Sequence, residues 1–224
     1  MSIWIKICGN TSLEDALLAA EAGADALGFV FARSPRQVTA AEVAAIVPRL
    51  PVTVEKIGVF VDATLEEIVS TVQACGLTGV QLHFDAEPGL PAMLRERLGP
   101  ELRILRVIHY DASTESQCAA QMDEHTRNPH VDAVRVDSRT RAAVGGTGKT
   151  FDWNKARKAI FENAEARKRL VAAGGLNPAN VAEAIATLRP WGVDVVSGVE
   201  TKPGRKDAAK VREFVRWARA VRLI

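Results

Sequence analysis

Short apolar runs alternate with longer stretches of helical periodicity from one end of the chain to the other. The runs predict strands over Ile3–Ile7, Ala26–Phe31, Lys56–Val61, Gly79–His83, Arg103–Ile108, Ala133–Asp137, Leu170–Ala173 and Asp194–Ser197. Most are rich in Val and Ile, and several are apolar without strict alternation, as strands covered on both faces should be. The intervening segments carry helix signals. Thr11-Ser12-Leu13-Glu14 and Thr64-Leu65-Glu66-Glu67 each read as a capping box, and Asn177-Pro178 reads as an N-cap followed by proline at the first helical position. Near the C-terminus, Val211, Phe214, Val215, Ala218 and Val221 share one helical face, opposite Arg212, Arg216 and Arg219, which read as a solvated stripe. Eight strand–helix units predict an α/β fold, a single (β/α)8 barrel over residues 1–224. A doubly wound sheet is the rival, but its nucleotide-binding glycine turn is missing after the first strand, where only Gly9 stands.

Composition narrows the class. At 47% hydrophobic and 25% charged residues the chain is an ordinary globular one. No apolar stretch reaches the roughly 20 residues of a membrane helix. The first ten residues lack the zones of a signal peptide. Three cysteines, Cys8, Cys75 and Cys118, show no CxxC spacing, so a reduced cytosolic protein without disulfides is expected. The net charge of +2 hides an asymmetry: residues 1–154 hold 14 basic and 20 acidic side chains, residues 155–224 hold 15 and 7. With one Tyr and seven Phe there is little to stack on bases, so an anionic small ligand explains the basic end better than nucleic acid.

In such a barrel the chemistry sits at the C-terminal ends of the strands. Those ends carry Cys8, Arg36, His83, His109, Asp137, Gly174-Gly175 and Ser197-Gly198. The richest glycine stretch, Gly145-Gly146-Thr147-Gly148-Lys149-Thr150, is not a P-loop, because Ala143 stands where the pattern requires glycine. It reads instead as a loop over a phosphorylated ligand. Glycine turns after the seventh and eighth strands often cradle phosphate with backbone N–H groups, although tight turns alone would also use glycine. The histidines show no metal-ligand spacing, so neither metal nor cofactor is expected.

The strings KICGNT (6–11), GFVF and SPR (28–36), GVFVD (58–62), VQLH (80–83), GGTGKTFDW (145–153), AAGGLNPANV (172–181) and VDVVSGVETKPGRKD (193–207) resemble the phosphoribosylanthranilate isomerases of tryptophan biosynthesis over nearly the whole length. The resemblance implies a cofactor-free Amadori rearrangement of N-(5-phosphoribosyl)anthranilate. It places the general base on Cys8, the general acid on Asp137 and the anthranilate-carboxylate contact on Arg36. His83 is either a substrate contact or a hydrogen-bonded structural residue. Gly145, Gly146, Gly174, Gly175, Ser197 and Gly198 are the expected phosphate-side contacts. The family usually continues QLH with Gly, whereas this chain has Phe84. The other reading is a second phosphate-binding barrel isomerase, such as the aminoimidazole carboxamide ribotide isomerase, which places Asp where Cys8 stands. The expected partner is a phosphorylated small molecule, with no nucleic acid or membrane, in a monomer or homodimer.

The chemistry suits these residue types. An acid must protonate the furanose oxygen to open the ring, and a base must remove the proton at sugar C2. A thiol with a reference pKa of about 8.5 supplies a few per cent of thiolate near neutrality, and cationic neighbours (Lys6 and Arg36 by sequence, although Lys6 could equally point into the barrel) would raise that share. Asp137, starting near 3.9, would need a rise of roughly 3 units to be protonated in the free enzyme at pH 7. A planar carboxylate suits bidentate recognition by Arg36, which follows the stiff Ser34-Pro35.

Overall fold

The computed structural model describes residues 2–83, 89–110, 115–137, 157 and 169–222. The apolar runs pair in chain order. β1 (Trp4–Ile7), β2 (Ala26–Val30), β3 (Glu55–Val61), β4 (Gly79–His83), β5 (Arg103–His109), β6 (Ala133–Asp137), β7 (Arg169–Ala173) and β8 (Gly192–Val195) form a closed barrel. All neighbours are parallel, and β1 closes on β8 with Trp4 opposite Gly192 and Ile7 opposite Val195. Closure removes the two free edges that a doubly wound sheet would keep.

Helices α1 (Leu13–Glu21), α2 (Ala40–Ile46), α3 (Leu65–Cys75), α4 (Leu90–Leu98), α5 (Glu115–Arg127), α6 (Val181–Leu188) and α7 (Ala208–Ala220) follow β1–β5, β7 and β8. Between β6 and β7 only residue 157 is described. Among the described residues no helix is long and apolar enough to cross a membrane.

Alternation along the strands builds two cores. Ile5, Ile7, Leu27, Phe29, Val80, Leu82 and Ile104 face outward onto Ala16, Ala19, Val43, Ile68, Val72, Leu94 and Phe214 of the helices. Trp4, Ala26, Ile57, Leu105, Ala133 and Val171 face inward and form the barrel floor. Burying an aliphatic side chain of this size stabilises by about 1.5–3 kcal/mol.

Helix starts depart from the sequence reading in two places. The box at Thr64–Glu67 forms, and Thr39–Glu42 makes a second one. At α1, however, the cap is Ser12, which accepts from the Asp15 N–H, while the Thr11 hydroxyl donates to the Gly204 carbonyl 2.6 Å away. A long-range partner therefore takes Thr11 out of the box. Helix α6 begins at Val181 rather than at Pro178. The side chain of Asn177 accepts from the Ala179 N–H, and the resulting turn delays the helix by three residues. The eighth strand stops at Val195, and Ser197–Val199 form a 3-10 turn. In α7 the apolar face is buried as the periodicity requires. Arg219 leaves the solvated stripe and donates to the carbonyls of Ile3 and Gly23 and to Asp25, tying the last helix to the floor of the barrel.

Candidate active site

β1, β2 and β8 position the thiol. Cys8 continues the inward parity of Trp4 and Lys6 past the end of β1, and its N–H donates to the Val195 carbonyl at 2.9 Å. The side chain is buried. Gly28, opposite on β2, leaves the space that the sulfur fills: a Cβ there would run into Cys8 Sγ. The fully buried Asn10 fixes the turn by donating its side-chain amide to the carbonyls of Ile7 and Gly28.

Arg36 arches over this turn. Its stem lies against Gly9, whose φ of +74° and missing Cβ both suit a close approach. Its Nε and Nη2 donate to Glu200 at 2.6–3.1 Å, a two-pronged ion pair reaching across 164 residues of sequence. Lys206 joins Glu200 at 3.2 Å and donates to the Cys8 carbonyl at 2.6 Å. The hydrogen bond that Arg36 donates to Glu200 strengthens its proton affinity against the cost of burial. Burial weakens that of Lys206, although Glu200 opposes it. Two cations thus share one carboxylate, which leaves a unit of positive charge beside the thiol. Arg36 Nη1 has no protein partner among the described residues.

Below these residues the barrel interior is ionic. Lys6, expected either near the thiol or inside the barrel, points inside, where Nζ donates to Asp194 at 3.1 Å and to Gln81 at 3.0 Å. Asp194 also accepts from Arg135 Nε, and Arg135 Nη1 donates to Asp137 at 2.8 Å. All four charged side chains are buried. Burial alone would raise the proton affinity of the Asp194 carboxyl, but Lys6 and Arg135 outweigh it and hold it below the ordinary carboxylate range. Asp137 ends β6 opposite His109 of β5. His83 is hydrogen-bonded to Gln81 at 2.9 Å, and its ring centre lies 5.6 Å from that of His109. Burial, assisted by Arg135 and His109, lowers its pKa to about 3, so it is a neutral ring at physiological pH.

The strand-end logic therefore brings Cys8, Arg36, His83 and Asp137 to one end of the barrel. Alternation at i and i+2 (Lys6 and Cys8, Arg135 and Asp137) was the available signal for the ionic layer beneath them. Nothing local in the sequence announced that Arg36 and Lys206 would both pair with Glu200. Cys75 and Cys118 are buried, with their thiols on the carbonyls of Ala40 and His109. At the glycine turns after β7 and β8, Gly174 and Gly175 both take positive φ (+89° and +65°), and a Cβ on Gly198 would overlap the Leu176 carbonyl, so these two loops lie against each other. An open groove of about 530 Å³ flanks these loops toward α7, sharing Ser197 and Gly198 but none of Cys8, Arg36 or Asp137. Gly145, Gly146 and Phe84 lie outside the described residues.

Comparison with known proteins identifies the family. The profile of the family described as N-(5'-phosphoribosyl)anthranilate (PRA) isomerase matches residues 5–217. The N-(5'-phosphoribosyl)anthranilate isomerase of Pelobacter propionicus is 44% identical over 98% of this chain and 97% of its own. The phosphoribosyl anthranilate isomerase of Thermotoga maritima superimposes with a TM-score of 0.82 at 35% identity, covering 98% of this chain and all of that one. An isomerase of the same name, in complex with reduced 1-(o-carboxyphenylamino)-1-deoxyribulose 5-phosphate, gives a TM-score of 0.79 at 32% identity, with 98% and 100% covered. The chain belongs to the N-(5'-phosphoribosyl)anthranilate isomerase family, the (β/α)8-barrel isomerases of tryptophan biosynthesis.

Proposed function

We propose that this chain isomerises N-(5-phosphoribosyl)anthranilate with Cys8 as general base and Asp137 as general acid. Asp137 protonates the furanose oxygen, the C1–O bond opens, and a Schiff base forms between C1 and the anthranilate nitrogen. The Cys8 thiolate then takes the C2 proton and leaves an enolamine. Protonation at C1 and loss of the C2 hydroxyl proton give 1-(2-carboxyphenylamino)-1-deoxyribulose 5-phosphate and restore both groups. The observation that carries this assignment is the placement of two buried proton carriers at the strand ends of one barrel mouth, with Arg36 beside Cys8.

Arg36, with Nε and Nη2 held by Glu200, offers Nη1 to the anthranilate carboxylate, whose charge balances the surplus cation of the Arg36–Glu200–Lys206 group. The N–H groups of Gly174-Gly175 and Ser197-Gly198 take the phosphate, helped by Gly145 and Gly146. His83 acts as a neutral hydrogen-bonding wall held by Gln81. A soluble cytoplasmic enzyme needing neither metal nor cofactor fits this chemistry. A monomer and a homodimer are both compatible with it, and one solved relative from Thermotoga maritima is described as dimeric.

The test follows the fluorescence loss of freshly generated phosphoribosylanthranilate, with no metal or nucleotide added. Cys8→Ala and Asp137→Asn should each lower kcat by about 10²–10⁴-fold, the usual contribution of general acid–base catalysis. Undiminished turnover in either variant removes that residue's role. Arg36→Ala should raise KM more than it lowers kcat, and an unchanged KM would contradict the carboxylate contact.

A further inference from the structure

The side-chain amide of Gln81 stands between two partners of opposite demand. Its Oε1 accepts from Lys6 Nζ at 3.0 Å, and its Nε2 lies 2.9 Å from His83 Nε2. Lys6 is ion-paired with Asp194 at 3.1 Å, both side chains being fully buried. An ammonium donates and never accepts, so it settles which end of the amide is oxygen. Reversing the amide would turn its NH2 group onto that ammonium, two donors facing each other away from water. The nitrogen end of Gln81 therefore faces His83.

That contact constrains the ring in turn. Two nitrogens at hydrogen-bond distance need one lone pair between them, and an amide nitrogen has none to give. His83 Nε2 must supply it, which leaves the single ring proton on Nδ1. The other states of the ring fail on the same geometry. An Nε2–H tautomer and a doubly protonated ring both set N–H against N–H, and turning the ring over replaces Nε2 by Cε1 and removes the acceptor. The electrostatics agree: burial first, then Arg135, lowers the His83 pKa to about 3.

The ring also stands where a ligand would meet it. Gln81 is buried in the interior, whereas His83, two residues on in the same inward row, is only half-buried. Its ring centre is 5.6 Å from that of His109, the residue in register with Asp137.

We infer that Lys6 and Gln81 are positioning residues that lock His83 in its neutral Nδ1–H form, so that the ring meets the substrate as a hydrogen-bond donor to an oxygen atom. The substrate half of this inference rests on the rearrangement taking place at this mouth; the tautomer does not. His83 is thereby excluded as the base, because its one lone pair is already engaged by Gln81. Lys6 acts on the site through two side chains without touching the substrate.

The tautomer is read in the ligand-free full chain at neutral pH, by long-range proton–nitrogen correlation on protein with nitrogen-labelled histidine. The His83 signals are those lost in His83→Leu. Nε2, the nitrogen coupled to both ring C–H protons, should resonate as an unprotonated nitrogen; a proton found there overturns the lock. In Gln81→Glu the new carboxylate accepts from Lys6 and from the ring, so Nε2 should become protonated. An Nε2 still bare in folded Gln81→Glu removes Gln81 from its role. Lys6→Met frees the amide to turn and should give both tautomers in exchange; an unchanged spectrum there removes Lys6. In turnover, His83→Leu should lower kcat/KM about tenfold, and His83→Asn, whose amide nitrogen stands where Nδ1 stood, should recover most of that loss. No loss in His83→Leu, or equal losses in the two variants, overturns the donor role and leaves the tautomer to the spectrum. Absence of turnover in the unsubstituted chain would instead overturn the isomerase reading.

Discussion

The interior of this barrel is two materials stacked two residues apart along the same strands. On β1, Trp4 lies in an apolar floor and Lys6 in an ionic layer; on β6, Ala133 lies in the floor and Arg135 in the ionic layer. The floor is held by contact alone, so its cost of error is a cavity. The upper layer is held by exact charge matching among buried groups, so its cost of error is an unpaired ion. The two should respond differently to the same kind of truncation, and only the upper one should carry proton chemistry with it.

Asp194→Asn is expected to have the largest effect. It strands Lys6 and Arg135 on a neutral amide in a site with no exposure, and removing one partner of a buried pair costs about 3–5 kcal/mol. Urea unfolding should show that loss, and the pH profile of kcat should move as well, because Arg135 turns fully to Asp137. The matching floor variant is Leu105→Ala, which should lose about 2–5 kcal/mol through transfer and cavity terms. There the pH profile should stay where it is. If both variants shift the profile alike, the layers are not separate.

The sequence discloses the two layers unequally. Cys8, Asp137 and Arg36 could be read because strand ends point to one rim, and a reactive side chain at such an end has a use. The floor could be read from runs of Val, Ile and Leu. The ionic layer was harder, since a lysine or arginine inside a strand looks like ordinary alternation until the strands close on each other. Lys6 meets Asp194 across 188 residues, a separation that no local pattern encodes. The same applies to the loss of Thr11 from its capping box, which a carbonyl 193 residues away has taken. The turn at Asn177 is the opposite case: the local signal was present, but a side-chain bond to the Ala179 N–H competes with a cap and defers the helix.

A third variant sharpens the comparison by supplying a buried ionisable group that is not matched by charge. His125 of α5 is 6% exposed, and burial, with a lesser push from Arg106, lowers its pKa to about 4. It meets desolvation by giving up its proton rather than by pairing. Because its folded value lies below the unfolded one of about 6.5, its neutral state costs nothing above that pH. Stability is then lost as pH falls from about 6.5 toward 4, where the unfolded chain binds the proton and the folded one does not. The full difference is about 3 kcal/mol. His125→Leu should flatten the urea midpoint against pH over that interval by this amount relative to the unsubstituted chain. An unchanged slope would mean that His125 is charged in the fold.

The smallest change tests the layers at one strand. On β2 the floor position is Ala26 and the upper position is Gly28, so one methyl group separates them in kind. Ala26→Gly removes that methyl from the floor and should cost about 1 kcal/mol, with kcat untouched. Gly28→Ala adds it beneath Cys8, where the new Cβ would lie on the sulfur and within 3.0–3.1 Å of the cysteine Cβ and Cα. Overpacking of this kind costs about 1–3 kcal/mol. The thiol must turn or the β1–β2 spacing must widen, and either one displaces the base from the sugar C2. The expected result is a stability loss near that of Ala26→Gly together with a fall in kcat of at least about tenfold, since a base misplaced by a fraction of an ångström loses most of its advantage. Equal kcat values in the two variants would show that Gly28 is there for the backbone and that Cys8 does not depend on the space it leaves.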